Sequence, residues 1–102
     1  MANLKLWISR TEDRDQLLTG DVWTKAAGDD DPPIVSEVNT RLGAYSYLTL
    51  LPGDYVYRFA ASRDGKFSIE IDVVSGDKIA AKDYDTAAVG KRGRTLQFTV
   101  MK

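Results

Sequence analysis

Apolar and polar side chains alternate along most of this chain, and glycine, proline or aspartate interrupts the alternation about every 8 to 12 residues. Alternation sends successive side chains to opposite faces of a strand, whereas an amphipathic helix repeats its apolar residues every three or four positions. The pattern predicts strands over residues 4–8, 18–25, 34–38, 43–51, 54–62, 66–74, 77–82 and 95–101. Residues 9–16, 26–33 and 83–94 have the composition of loops, with a short helical turn expected within 9–16. We therefore expect an all-β fold, an antiparallel β-sandwich of about seven to eight strands in a single domain over residues 1–102.

The strands at 54–62 and 66–74 predict the centre of the core. Their inward positions are Tyr55, Tyr57, Phe59, Ala61, Phe67, Ile69, Ile71 and Val73. Their outward positions are Val56, Arg58, Ala60, Ser68, Glu70 and Asp72. Large apolar side chains thus occupy one face of each strand, and that face is expected to pack against the second sheet.

The connection between these two strands predicts how they pair. A two-residue turn would set Phe59 opposite Glu70, whereas a three-residue loop with Gly65 in the left-handed conformation pairs Ser62 with Lys66 and sets Phe59 opposite Ile69. The second register matches apolar with apolar residues throughout. The sequence therefore predicts a three-residue hairpin between the two strands.

A turn signal precedes the strand at 54–62, because Pro52 and Gly53 are suited to the second and third positions of a type II turn. Such turns twist against a tight hairpin, so a crossing from one sheet to the other is the alternative here. Residues 48–59 resemble the Leu-x-Pro-Gly-x-Tyr corner of immunoglobulin-like and fibronectin type III sandwiches, and the Pro-Gly-x-Tyr segment of transthyretin-like sandwiches. The resemblance implies one of these folds and a tyrosine corner, in which the Tyr55 hydroxyl binds upstream backbone. It carries over no functional residue.

Composition narrows the possible chemistry. The chain contains 14 basic and 15 acidic residues and neither histidine nor cysteine. Without these two residue types it has no Ser-His-Asp or Cys-His catalytic group, no thiolate and no usual zinc site, so we expect no enzyme, cofactor or metal. A net charge of −1 argues against nucleic acid as a partner. The chain has no apolar run long enough for a membrane span, and its first residues lack the apolar stretch of a signal peptide, so a cytoplasmic protein that binds no membrane is expected.

Three charged groups are better explained as solvated surface than as binding or catalytic sites. The carboxylates Glu70, Asp72, Asp83 and Asp85 include residues at alternate outward positions of a strand, where charge is expected. The run 29–31 of three aspartates lacks the spaced ligands of a calcium loop. The basic run 91–94 has no interleaved aromatic residues, so it is interpreted as a charged turn.

An aromatic patch is the strongest candidate for a binding site. If the strand at 43–51 pairs with the strand at 54–62, Tyr45 and Tyr47 point outward on the sheet that also displays Arg58 and Glu70. Trp7 and Trp23 are candidates to extend this patch. Aromatic rings beside charged side chains suit a ligand-binding face, and outward tyrosines are also ordinary cross-strand residues of any sheet. We expect a non-catalytic binding module with a carbohydrate ligand, and as the alternative a protein partner or structural assembly.

Overall fold

The computed structural model describes residues 1–85 and 94–101 of the chain. Its strands are β1 (Ala2–Thr11), β2 (Leu17–Thr24), β3 (Thr40–Arg41), β4 (Tyr45–Leu50), β5 (Gly53–Ala61), β6 (Lys66–Val73), β7 (Lys78–Asp85) and β8 (Arg94–Val100). They form two four-stranded antiparallel sheets, in the orders β4-β1-β6-β7 and β3-β2-β5-β8. The all-β sandwich expected from the alternation is therefore confirmed.

Most strand bounds follow the prediction, and the differences lie in the weaker segments. The strand expected over 34–38 is reduced to a single bridge between Val22 and Val35, and the short β3 follows it. Within 9–16, β1 continues to Thr11 and pairs there with Phe67, and the short turn expected in this segment is a single one in which the Gln16 N–H donates to the carbonyl of Asp13 at 3.1 Å. The strand expected over 77–82 extends as β7 to Asp85, and the rest of the loop predicted over 83–94 lies mainly outside the described residues.

The predicted hairpin between residues 54–62 and 66–74 is wrong, because β5 and β6 belong to different sheets. β5 lies between β2 and β8, while β6 lies between β1 and β7. The buried side chain of Gln16 fixes the connection between them: its amide donates to the carbonyl of Arg63 at 2.9 Å and its oxygen accepts from the Arg63 N–H at 2.9 Å. With these backbone groups bound to Gln16, the chain leaves one sheet and enters the other.

The crossing expected near Pro52 as an alternative to a hairpin is confirmed, since β4 and β5 also lie in different sheets. The tyrosine corner is present as well. The Tyr55 hydroxyl donates to the carbonyl of Leu51 at 2.6 Å, and the Tyr55 ring stacks on Phe98 with centroids 5.6 Å apart. The buried Tyr55 side chain thus connects the crossing segment at Leu51 with the core at Phe98.

The core lies between the sheets and contains the side chains predicted to face inward. Tyr55, Tyr57, Phe59, Phe67, Ile69 and Ile71 are buried, and Ala61 and Val73 pack against them half-buried. The layers meet where Phe59 contacts Phe67 at 6.2 Å and Tyr84 at 5.2 Å between ring centroids. Alternation predicted these faces correctly although the predicted pairing was wrong, because the inward face of a strand does not depend on its neighbour.

Two outward positions are more buried than the alternation predicts. Asp72 is buried because the indole N–H of Trp7 donates to its carboxylate at 2.7 Å on the outer face. Val56 is buried on the outer face of the other sheet, where Trp23 lies opposite it on β2. Tryptophan therefore packs on the outside of each sheet.

Candidate functional site

The outer face of the sheet β4-β1-β6-β7 carries a cluster of three aromatic side chains, Trp7, Tyr45 and Tyr47, hereafter the aromatic cluster. Trp7 on β1 lies directly opposite Tyr45 on β4, and Tyr47 follows two positions later on the same face. The ring centroids of Trp7 and Tyr45 are 5.6 Å apart, and those of Tyr45 and Tyr47 are 6.3 Å apart. Tyr45 is 45% exposed and Tyr47 is 67% exposed, so the cluster is open to solvent.

Charged groups surround the aromatic cluster on the same face. The ammonium group of Lys5 lies 4.9 Å from the centroid of the Tyr45 ring, a cation–π contact. Glu70 lies opposite Trp7 on β6 and forms an ion pair with Lys78 at 3.0 Å. The carboxylate of Asp72 accepts a hydrogen bond from the Trp7 indole. Acidic and basic side chains therefore both lie beside the rings.

The rings of the aromatic cluster are tilted relative to one another, by 59° between Trp7 and Tyr45 and by 45° between Tyr45 and Tyr47. They do not form one flat platform, and each ring presents its face in a different direction. One side of the Tyr45 ring faces Lys5, and Tyr47 is more exposed than Tyr45. The geometry suits a small ligand that contacts one or two rings, rather than a long flat one.

Arg58 does not belong to this face, so the predicted grouping of Tyr45, Tyr47, Arg58 and Glu70 is split. Arg58 lies on β5, on the outer face of the other sheet, with its guanidinium 4.8 Å from the centroid of the Trp23 ring. The prediction assumed that the strand carrying the tyrosines pairs with the strand carrying Arg58. It pairs instead with β1, which brings Trp7 beside Tyr45 and leaves Trp23 on the opposite side of the molecule.

Sequence reasoning missed the part that Lys5 has in the site. The signal was present, because Leu4, Leu6 and Ile8 alternate with Lys5 and Trp7 and so mark these two as outward. The sequence pattern does not indicate which strand pairs with the strand that carries Lys5 and Trp7. Once β1 pairs with β4, Lys5 lies opposite Tyr47 and the contact with Tyr45 follows.

Two of the other charged candidates have structural partners. Asp83 accepts a hydrogen bond from the Ser68 hydroxyl at 2.5 Å, and Asp31 accepts one from the N–H of Gly28 at 2.8 Å within the loop. Arg94 begins β8, and the rest of the basic run 91–94 lies outside the described residues. Across the described part of the chain, no three acidic side chains converge as a metal site would require.

An open cleft of about 430 Å³ lies toward the Thr11 end of the same sheet. Arg10 and Lys66 line it together with the carboxylates of Glu12, Asp83 and Asp85. Cations and anions are mixed along its wall, and Asp83 is already bound by Ser68.

Comparisons with protein-family models, with curated proteins and with solved structures find no match to this chain. Residues 1–85 and 94–101 include no helix of the length and apolarity that crossing a membrane requires. The geometry of the outer faces is therefore the basis for a functional proposal.

Proposed function

We propose that this protein is a non-catalytic binding module that recognises carbohydrate through the aromatic cluster and the charged side chains beside it. The observation that carries the proposal is the exposure of Tyr47 and Tyr45 at 67% and 45%, side by side on a paired strand. Tyrosine rings offer apolar faces on which the C–H groups of a sugar can stack, and their hydroxyls can bind those of the sugar. The site residues carried over from the sequence prediction are Tyr45, Tyr47 and Glu70, to which Lys5 and Trp7 are added.

Rigidity supports the proposal. β4 is paired with β1 along its whole length without a bulge, so the directions of Tyr45 and Tyr47 are set before any ligand arrives. Side chains held in advance lose less conformational entropy on binding, which matters for a weakly hydrophobic ligand such as a sugar. The Trp7 indole is held in addition by its hydrogen bond to Asp72.

The tilt of the rings and the flanking charges define the ligand class further. A short soluble oligosaccharide would stack one ring on Tyr47, while Lys5 and Glu70 would bind its hydroxyls. A flat crystalline polysaccharide surface would require coplanar rings, which this face does not have.

The test is an amide chemical-shift titration of the isotope-labelled protein against pooled oligosaccharides. We expect shifts confined to residues around Tyr45 and Tyr47, and a loss of affinity of about tenfold or more in Tyr47→Ala, as for a central contact residue. Arg58→Ala is the matched variant on the opposite face and should leave the affinity unchanged. Absence of shifts with every pool, or an equal loss in Arg58→Ala, would refute the proposed site.

A protein partner or structural assembly is the second candidate, favoured by the position of the aromatic cluster at the edge of a sheet. β4 is the outermost strand, and Tyr and Trp are the residues that most often dominate the energy of protein interfaces. If the oligosaccharide pools are silent while the mass of the protein rises with concentration, this second function replaces the first.

Three finer expectations belong to the same proposal. The tyrosine corner supports a relation to immunoglobulin-like or transthyretin-like sandwiches. Because β1 and β2 lie in different sheets, unlike the first two strands of a constant-type immunoglobulin domain, we favour the transthyretin-like alternative.

We also propose that the protein acts in the cytoplasm and binds neither nucleic acid nor membrane. The absence of cysteine agrees with a reducing compartment, and the net charge of −1 with a partner other than nucleic acid.

A further inference from the structure

The two sheets end in four strands, and three of these ends are protected against pairing with another chain. β3 has two residues, and beyond it residues 34–38 bind β2 irregularly through Val35 and Val38. β7 carries two lysines and two aspartates, and a register shift interrupts its pairing with β6. Short strands, charged side chains and bulges are the usual means by which proteins block an edge.

β8 is shielded differently, by the neighbouring sheet. β7 and β8 contact each other along one side of the sandwich, and the Tyr84 hydroxyl donates to the carbonyl of Thr95 at 2.8 Å. A backbone acceptor near the start of β8 is therefore already used.

β4 has none of these protections. Its sequence, Tyr-Ser-Tyr-Leu-Thr-Leu, contains no charged residue, no proline and no glycine, and its register with β1 is continuous. On its other side, no backbone hydrogen bond joins β4 to a further strand within the described residues. The bond near its start, from the Ser46 hydroxyl to the carbonyl of Asn39, involves the Ser46 side chain and uses no backbone group of β4. An edge of this kind presents a row of donors and acceptors that a strand can satisfy.

We propose that β4 pairs antiparallel with β4 of a second copy of this chain, so that two four-stranded sheets join into one of eight strands about a twofold axis. An antiparallel strand pair is self-complementary, as a twofold interface requires. Because β4 is uncharged, no like charges meet across the axis, whereas the charged edge of β7 would bring several charges together. This charge pattern favours the chain itself as the occupant.

The side chains specify the register. With the axis at Tyr47, the two copies of Tyr47 lie opposite each other on the outer face, and Tyr45 of one copy lies opposite Thr49 of the other. Cross-strand pairs of aromatic and β-branched residues stabilise sheets. The pairing also brings the two aromatic clusters onto one continuous face, so a dimer would bind an extended ligand at two adjacent places. The dimer itself does not depend on carbohydrate binding.

The first experiment is sedimentation velocity over a concentration series. The chain has a mass of 11.3 kDa, and we expect twice that mass as the concentration rises. Tyr47→Lys and Tyr47→Glu should each remain monomeric, because like charges would face each other at the axis, and an equimolar mixture of the two should dimerise again. Thr19→Lys, on the exposed outer face of the other sheet, is the control and should dimerise like the unmodified protein.

The second experiment locates the pairing by cross-linking. The chain has no cysteine, so Tyr47→Cys introduces the only thiol. Directly opposite residues of antiparallel strands have Cβ atoms about 4.5 to 5.5 Å apart, close enough for a disulfide after a small adjustment. We expect Tyr47→Cys to cross-link on mild oxidation at least tenfold faster than Thr19→Cys.

A monomer at every concentration, a mass unaffected by Tyr47→Lys, or equal cross-linking at both positions would overturn the proposal. Tyr47→Glu changes both the strand edge and the sugar site, so it is used only for the measurement of mass. Sugar binding is judged first on the unmodified chain, so a failure of the dimer and a failure of the carbohydrate site are distinguished.

Discussion

Removing the hydroxyl of Tyr55 tests the corner that carries the crossing from β4 to β5. The Tyr55→Phe substitution keeps the ring, and with it the stacking on Phe98 and the apolar area buried in the core. It removes one hydrogen bond, from the hydroxyl to the carbonyl of Leu51 at 2.6 Å. The change is therefore close to a measurement of that single bond.

The expected loss of stability follows from the surroundings of the two partners. A typical hydrogen bond contributes about 0.5 to 1.5 kcal/mol net, and a buried partner left unsatisfied costs up to about 3 kcal/mol. Tyr55 is buried, but Leu51 is 63% exposed, so water can reach its carbonyl once the hydroxyl is gone. We expect the free energy of unfolding to fall by about 1 kcal/mol, which for a chain of this size lowers the melting temperature by about 4 to 8 °C.

Urea denaturation and a thermal melt monitored by circular dichroism measure this change. The matched control is Tyr47→Phe, which removes a hydroxyl from an exposed ring and should change the stability by less than about 0.5 kcal/mol. If Tyr55→Phe and the unmodified protein have the same melting temperature, the hydrogen bond from Tyr55 to Leu51 contributes nothing to stability and the prediction is wrong. A loss of more than about 3 kcal/mol would show that the ring itself has moved, which the stacking on Phe98 argues against.

Three further predictions concern packing, the tryptophan on the outer face and alkaline stability. Gly20→Ala should lower the free energy of unfolding by about 1 to 3 kcal/mol, because an added Cβ would lie 2.3 Å from a backbone oxygen of β5. Urea denaturation measures this loss of stability. Trp7→Phe should cost about 2 kcal/mol by the same assay, because the buried carboxylate of Asp72 loses its indole donor. Burial raises the pKa of Tyr57 and Tyr84 above the ordinary value of about 10, so the folded state keeps these phenol protons where the unfolded state releases them. Stability should therefore be complete below pH about 10 and fall above it, by up to about 1.4 kcal/mol per pH unit for each tyrosine.

Each of these predictions has a control. Gly28→Ala adds a Cβ whose nearest neighbour is a side-chain oxygen 3.8 Å away, so it should be nearly neutral, and an equal loss in both variants would contradict the close-contact argument. Trp23→Phe removes an indole donor from an exposed carbonyl and should cost less than Trp7→Phe. Replacing Tyr57 and Tyr84 by phenylalanine should flatten the decline between pH 10 and 11.5; an unchanged slope would assign the decline to other groups.

Alternation was sufficient to predict the core of this protein. Tyr57, Phe59 and Ile69 were expected to face inward and are buried, and the corner hydroxyl of Tyr55 was expected to bind upstream backbone and does so. These features depend on contacts within a strand or a few residues apart, which short-range patterns report directly. The exception at Asp72 has the opposite cause, since its burial comes from Trp7, 65 residues away along the chain.

The pairing of strands was beyond the reach of the same pattern. The apolar match between residues 54–62 and 66–74 favoured a hairpin, yet apolar matching holds equally well across the core, where β5 and β6 do meet. Gln16 decides between the two by binding the backbone at Arg63. One glutamine among polar loop residues gives no signal of that role in the sequence.

The sequence by itself therefore determined the fold class, the inward face of each main strand and the outward direction of Tyr45 and Tyr47. Only the tertiary structure decided which outward side chains share a surface, placing Trp7 and Lys5 beside Tyr45 and Arg58 beside Trp23 on the far side. The physical reason is that the face of a side chain follows from a local period of two, whereas the neighbour of a strand is chosen by contacts far apart in the chain.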